Sequence, residues 1–282
     1  MALGLLAFLA WSSIGSPEAA YAGSKSGPEA IVALETLPRA GAGLRASVDG
    51  HEAVFLFDTG EGISTVTPAF AREIGCNPWG QTTGFRMTGE RLDLQRCDNL
   101  RVTLAGKPFG APIAGVFDIT KLLPESRTVL AGSLGLDIFS GRKITIQPRL
   151  KRIVVESPAS FAERVRAGRE IPARLVRDAE GVALAVDAGV PTKAGMAWME
   201  LDTGNGGTLV IGKHIAGLLG LDPASASPQE AHFAIVDGVP VDGPARVRDL
   251  IMDGDIGNHV LKNWDVTFDL SAGRVWLAPA AT

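Results

Sequence analysis

The chain has little cysteine, almost no tyrosine and no long apolar run, and each shortage excludes something. With two cysteines in 282 residues it is not a disulfide-stapled scaffold. It needs no staple, because a chain this long buries roughly three-quarters of its unfolded surface. Nothing approaches a series of membrane-spanning helices, each of which takes ~20 apolar residues. A basic excess is missing as well: the formal net charge of -4 argues against nucleic acid as a partner. Cys76 and Cys97 have neither CxxC nor Cys/His spacing, and His51, His214, His232 and His259 form no metal-ligand pair, so no metal and no cofactor is expected. What is present is the 46% apolar and 21% charged composition of a soluble globular protein. The 34 glycines and 17 prolines suggest a turn-rich, mostly β architecture. At ~150 residues per domain the length suggests about two domains.

The single tyrosine, Tyr21, lies in a segment that reads as an export signal. Residues 3–11 are apolar, a polar stretch follows, and Ala20-Tyr21-Ala22 has the small-x-small form of a cleavage site, although no Lys or Arg precedes the run. The expectation is a signal peptide at 1–22 and a mature, tyrosine-free chain working in the periplasm or outside the cell; an uncleaved anchor is the alternative. In such a compartment Cys76 and Cys97 are candidates for one disulfide, against two isolated small apolar residues.

The chain is also written twice. Residues 132–155 align without a gap on 254–277: Gly132/Gly254, Gly135/Gly257, Thr145/Thr267 and Arg152/Arg274 are identical, and Leu134/Ile256, Ile144/Val266 and Ile146/Phe268 stay apolar. Earlier, the apolar run into Asp58-Thr59-Gly60 matches the run into Asp202-Thr203-Gly204, with a longer excursion between shared blocks in the first copy. Each copy reads as a strand entering Asp-Thr-Gly, a second strand, a helix ending near Gly75 or Gly220, then Leu134-Gly135 or Ile256-Gly257 and a hairpin, with a turn at Ser271-Ala272-Gly273 in the second. This places one lobe at 23–157, a linking helix region at 158–172 and a second lobe at 173–282.

One Asp-Thr-Gly is easily an ordinary turn; two in the same frame of a repeat are not. The constellation resembles the aspartic proteases over nearly the whole mature chain, and within them the retropepsin-like branch, fused into one chain with a pepsin-like layout. A flap without tyrosine favours that branch. The resemblance implies two homologous, closed-barrel-like β lobes related by a pseudo-twofold axis, each with a short helix. It implies Asp58 and Asp202 as the catalytic pair, and Thr59 and Thr203 interlocking across the axis. Leu134 and Ile256 would pack beneath the aspartate loops. Residues 84–94 would form a flap, turning at Thr88-Gly89, with Phe85, Met87 and Gly89 meeting substrate; the second lobe, compressed over 232–246, would lack one.

The chemistry stands apart from the family name. Two facing carboxyls cannot both ionise easily, so the pair keeps one proton and presents a water with a base and an acid together. Gly60 and Gly204 are expected to permit a sharp turn. Where the family places small residues, this chain has Glu61-Gly62 and Asn205-Gly206. Asn205 is expected to donate its side-chain amide to Asp202. Glu61 is expected to turn outward into solvent, the alternative being a third carboxylate beside the pair that raises its pKa and moves the pH optimum towards neutral. Glu200, two residues before Asp202, poses the same question. The expected function is endopeptidase action on a polypeptide by a monomer. A catalytically silent module that binds a peptide or envelope protein is the rival, and a carboxylate-pair glycosidase is disfavoured by the symmetric repeat.

Overall fold

In the computed structural model the described residues are 27–38, 41–123 and 128–282. The proposed leader, Tyr21 included, lies outside them. Three β-sheets make up most of this chain.

The first sheet belongs to the first half. In spatial order it runs Glu35–Leu37, Gly41–Val48, His51–Phe57, Gly132–Leu134, Thr65–Val66, Lys107–Val116, Arg91–Leu104 and Trp79–Phe85. Its local causes are plain in the sequence. Along Gly41–Val48 the residues Leu44, Ala46 and Val48 are buried and Arg45 is exposed, the period-two pattern of a strand with one face on a core. Asp49 and Gly50, both at positive φ, form the two-residue turn that returns the chain into His51–Phe57. A further antiparallel pairing, Ser47 with Thr103 and Val48 with Val102, joins Gly41–Val48 to Arg91–Leu104 and closes these strands into a barrel.

The second half builds a sheet with the same order of corresponding strands: Ala173–Val176, Ala185–Thr192, Gly195–Asp202, Gly254–Gly257, Leu209–Gly212, Val239–Arg248 and Gln229–Val236. The hairpin Gln229–Val236/Val239–Arg248 turns at Asp237-Gly238. Asp242-Gly243-Pro244, a run of turn-favouring residues, lies inside the strand Val239–Arg248; the extended partner strand, pairing Ala231 with Gly243, overrides the local preference.

The third sheet takes strands from both halves: Ala30–Ala33, Arg152–Val155, Lys143–Gln147, Trp264–Asp269, Arg274–Pro279 and Arg169–Ile171. The hairpins that end the two repeats therefore meet edge to edge. Along that seam Lys143–Gln147 pairs antiparallel with Trp264–Asp269, and the equivalent residues Thr145 and Thr267 face each other with their hydroxyls 2.9 Å apart. One apolar core runs through both halves. Helix Pro158–Ala167, capped by Ser157 and Ser160 bonding reciprocally, lies between the halves in sequence and rests Phe161 edge-on against Trp276 at 5.4 Å. No helix of the described residues is long and apolar enough to cross a membrane. Cys76, just past helix Pro68–Glu73, is bonded to Cys97 in Arg91–Leu104, with their Cα atoms 6.1 Å apart.

Candidate active site

Both Asp-Thr-Gly loops leave the ends of strands anchored in the core, the first fully buried over its last three residues and the second on alternate residues. Phe55, Leu56 and Phe57 are buried before Asp58, and Met199 and Leu201 before Asp202. Each strand is held in parallel register by a short strand from the later repeat block, Phe57 beside Leu134 and Leu201 beside Ile256. Leu134 and Ile256 are buried there, and Leu134 O accepts from Asp58 N at 3.2 Å, which continues the ladder to the aspartate.

The two loops interlock. Thr59 N donates to Thr203 Oγ1 at 3.1 Å, Thr203 N donates to Thr59 Oγ1 at 2.9 Å, and the Thr59 hydroxyl donates to Leu201 O at 2.6 Å. Gly60 lies in a turn and Gly204 in a bend, as expected, but both have ordinary φ, so the turn is not what demands glycine. They are required by close approach: a Cβ on Gly60 would lie 2.6 Å from the Asp202 carboxyl carbon, and one on Gly204 would lie 2.1 Å from Asp58 Oδ2. Each glycine makes room for the opposite aspartate.

The Asp58 and Asp202 carboxyls are neighbours, each packed on the glycine of the opposite loop. Asp58 Oδ1 accepts from Gly60 N at 2.8 Å; Asp202 Oδ1 accepts from Gly204 N at 2.6 Å and from Asn205 N at 3.1 Å. Burial first, then the charge of Asp202, holds the Asp58 carboxyl well above the usual carboxylate range, against the pull of the Gly60 and Gly204 amides. The arrangement can hold one proton between two acids and present an ionised and a protonated carboxyl together.

Two flanking residues differ from expectation. Glu61 does not turn outward. Its Oε1 accepts from the hydroxyls of Thr65, at 3.1 Å, and Ser133, while its Oε2 is shut off from solvent without a partner. The two inward-facing hydroxyls draw it in, and burial, then the charge of Asp58, pushes its pKa well up. Asn205 does bond Asp202, but with its backbone; its side-chain amide goes to Thr208 O and to Asp255 Oδ2, both at 3.1 Å. Glu200 sits opposite Asp187 and Asp255 across its neighbouring strands, and burial followed by the charge of Asp202 raises it too.

Residues that sequence reasoning passed over are Ser64, Asp137 and Asp255. Asp137 accepts from Ser64 N at 2.8 Å and Ser64 Oγ at 2.6 Å, and that hydroxyl also accepts from Gly135 N at 3.0 Å, bracing the Asp58 loop from behind. The repeat carried a usable signal. Glu61 aligns with Asn205 and Ser133 with Asp255, so each half pairs one acid with one neutral polar residue at the same two positions, exchanged.

The expected flap is a hairpin of Trp79–Phe85 and Arg91–Leu104 turning through 86–90, with Gly89 at φ +83. Its tip reaches the second half, where Ile251 N donates to Met87 O at 2.9 Å and a Cβ on Gly89 would lie 3.0 Å from Ile251 Cγ2. Phe85 remains exposed.

No protein-family model and no curated protein matches the chain. Among solved structures, basic 7S globulin from soybean is similar at a TM-score of 0.53 and 11% identity, over 88% of this chain and 94% of that one. Conglutin gamma, a basic 7S globulin from lupine seeds, is similar at 0.53 and 10% identity, over 90% of this chain and 96% of that one. At these identities the likeness concerns the fold alone. It corrects the resemblance to retropepsin-like aspartic proteases: these globulins share the fold over almost their whole length. Two tripeptides and a missing tyrosine describe loops and one side chain. They do not determine an eight- and a seven-stranded sheet joined by a third, which is more than two short closed units.

Proposed function

We propose that the chain hydrolyses peptide bonds as an endopeptidase, with a water activated between Asp58 and Asp202. The observation that carries this reading is the mutual fit of the two aspartate loops, in which each glycine is emptied to admit the other half's carboxyl. That fit is costly to hold for two acids with no shared task, because bringing like charges together in a buried place raises their energy. Asp202, with Oδ1 held by two backbone amides, acts as the base that takes the water's proton; Asp58, which keeps its proton to unusually high pH, hydrogen-bonds the scissile carbonyl as the acid. The proton on Asp58 is needed and is lost as pH rises through its raised pKa, so activity extends towards neutral pH and declines on the alkaline side.

The matching strand orders support reading the halves as homologous lobes about a pseudo-twofold axis, each supplying half a site, which makes a monomer sufficient. The disulfide is consistent with export to an oxidising compartment. A polypeptide is the substrate, admitted when the tip at 86–90 lifts from Ile251.

The test is incubation of residues 23–282, and of the same chain with Asp58→Asn, with a peptide library from about pH 3 to pH 8. Cleavage by the unmodified chain and a loss of roughly a thousandfold or more in the variant is expected. No cleavage by either assigns the cleft to binding, and equal cleavage by both removes the dyad from the chemistry.

A further inference from the structure

Asp255 is fully buried, yet no cation among the described residues pairs with it. It stands on Gly254–Gly257, directly alongside the Asp202 strand, with Glu200 as its register partner. Oδ2 accepts from the Asn205 side chain at 3.1 Å. Oδ1 is sealed from solvent and no donor among the described residues reaches it, while Asp202, two residues on from that register partner and on the same face, is the carboxyl's strongest charged neighbour. Ionised carboxylates only accept, so a bond between these two exists only when one of them carries a proton. The charged groups facing Asp255 discourage its ionisation, Asp202 and Glu200 from the adjacent strand and Asp58 from the other half, and outweigh the Asn205 amide, which favours it; Asp187, one strand further, has Arg174 for itself at 2.8 Å. Asn205 ties the arrangement together, since its backbone amide holds Asp202 Oδ1 and its side chain holds Asp255. In the first half the same place is taken by Ser133, bonded to Glu61.

We propose that Asp255 is a positioning residue for hydrolysis at the dyad: as a carboxylic acid steered by Asn205, it donates its proton in a hydrogen bond to Asp202 and fixes that aspartate's orientation towards the water. This rests on the peptidase reading above. It makes the two aspartates unequal, because Asp58 has no corresponding acid in the position of Ser133. It also accounts for an otherwise stranded buried oxygen, and burial with the charge of Asp202 places the Asp255 pKa at about 8, so the donor form persists at neutral pH.

Two variants separate positioning from mere packing. Asp255→Asn keeps both bonds, its carbonyl accepting from Asn205 and its amide donating to Asp202, but cannot titrate; Asp255→Ser installs the residue that the first half already buries at this position and is too short to reach Asp202. The expected result is a kcat lowered roughly ten- to hundredfold by serine with KM within about twofold, and restored to within about threefold by asparagine. Equal kcat in the two variants overturns the proposal. A second readout needs no turnover: in protein labelled with carboxyl-13C aspartate, Asp255 should appear protonated at about pH 6 and titrate well above the ordinary carboxylate range. An ionised Asp255 at that pH overturns the proposal even if peptides are cleaved, and a protonated one sustains the Asp255–Asp202 bond even if the peptidase reading fails.

Discussion

Asp137 shows what burial does to an acid whose partners are all neutral. Four hydrogen-bond donors, two from Ser64 and two from its own helical turn, pull its pKa down, but loss of solvent outweighs them and leaves it at about 6 against 3.8 for a free side chain. The folded pKa is the higher one, so the group's contribution to stability is fully present below about pH 4 and is lost as pH rises through about 6. A shift of this size is worth roughly 3 kcal/mol at neutral pH. Asp137→Asn, which keeps an acceptor and a donor for Ser64, should remove that part of the pH dependence: urea unfolding at about pH 4 and pH 7 is expected to show a smaller fall for the variant than for the unmodified chain. At this scale the aspartates and threonines of the site are legible in the sequence, because tripeptides announce themselves. The orientation of Glu61 is not, because it depends on hydroxyls at Thr65 and Ser133 that tertiary folding brings to it.

Besides its strand pairings, the flap-bearing element is tied to the rest at its base and at its tip. At its base the Cys76–Cys97 bond ties the end of the first helix to the long strand Arg91–Leu104. Closing a loop of 21 residues stabilises a fold by about 3 kcal/mol through the unfolded chain. Reduction, or paired alanines at both cysteines, should lower the unfolding free energy by about that amount in denaturant titrations. At its tip a single backbone bond, Ile251 N to Met87 O, joins the turn to the second half. Ile251→Pro removes the only donor of that bond, and faster hydrogen exchange across 86–90, with little change elsewhere, is the expected result. The hairpin itself is readable from Gly89 and its alternating flanks. Its docking on Ile251 is not, because a main-chain bond between residues so far apart leaves no trace in side-chain choice.

The whole molecule is joined through the sheet that both halves build. Its seam pairs Ile144 with Phe268 and Ile146 with Val266, all buried, so either half alone would expose an unpaired, apolar edge. The halves should therefore not unfold separately: calorimetry is expected to give one transition whose van't Hoff and calorimetric enthalpies agree, and two resolved transitions would contradict the seam's role. The repeat makes two related halves visible in the sequence. Their joining hairpins read as parts of separate lobes, because a strand's pattern shows that an edge is buried and not which chain segment covers it.

Local chemistry by itself determined the repeat, the β character and the two Asp-Thr-Gly loops, because alternation, turn residues and tripeptides are properties of neighbours along the chain. Only the tertiary structure decided what those loops meet: a glycine emptied for the opposite aspartate, Glu61 drawn inward, and Asp255 set against Asp202. Those facts depend on contacts between residues far apart in sequence and on the loss of solvent around them, which sets how many protons the cluster keeps.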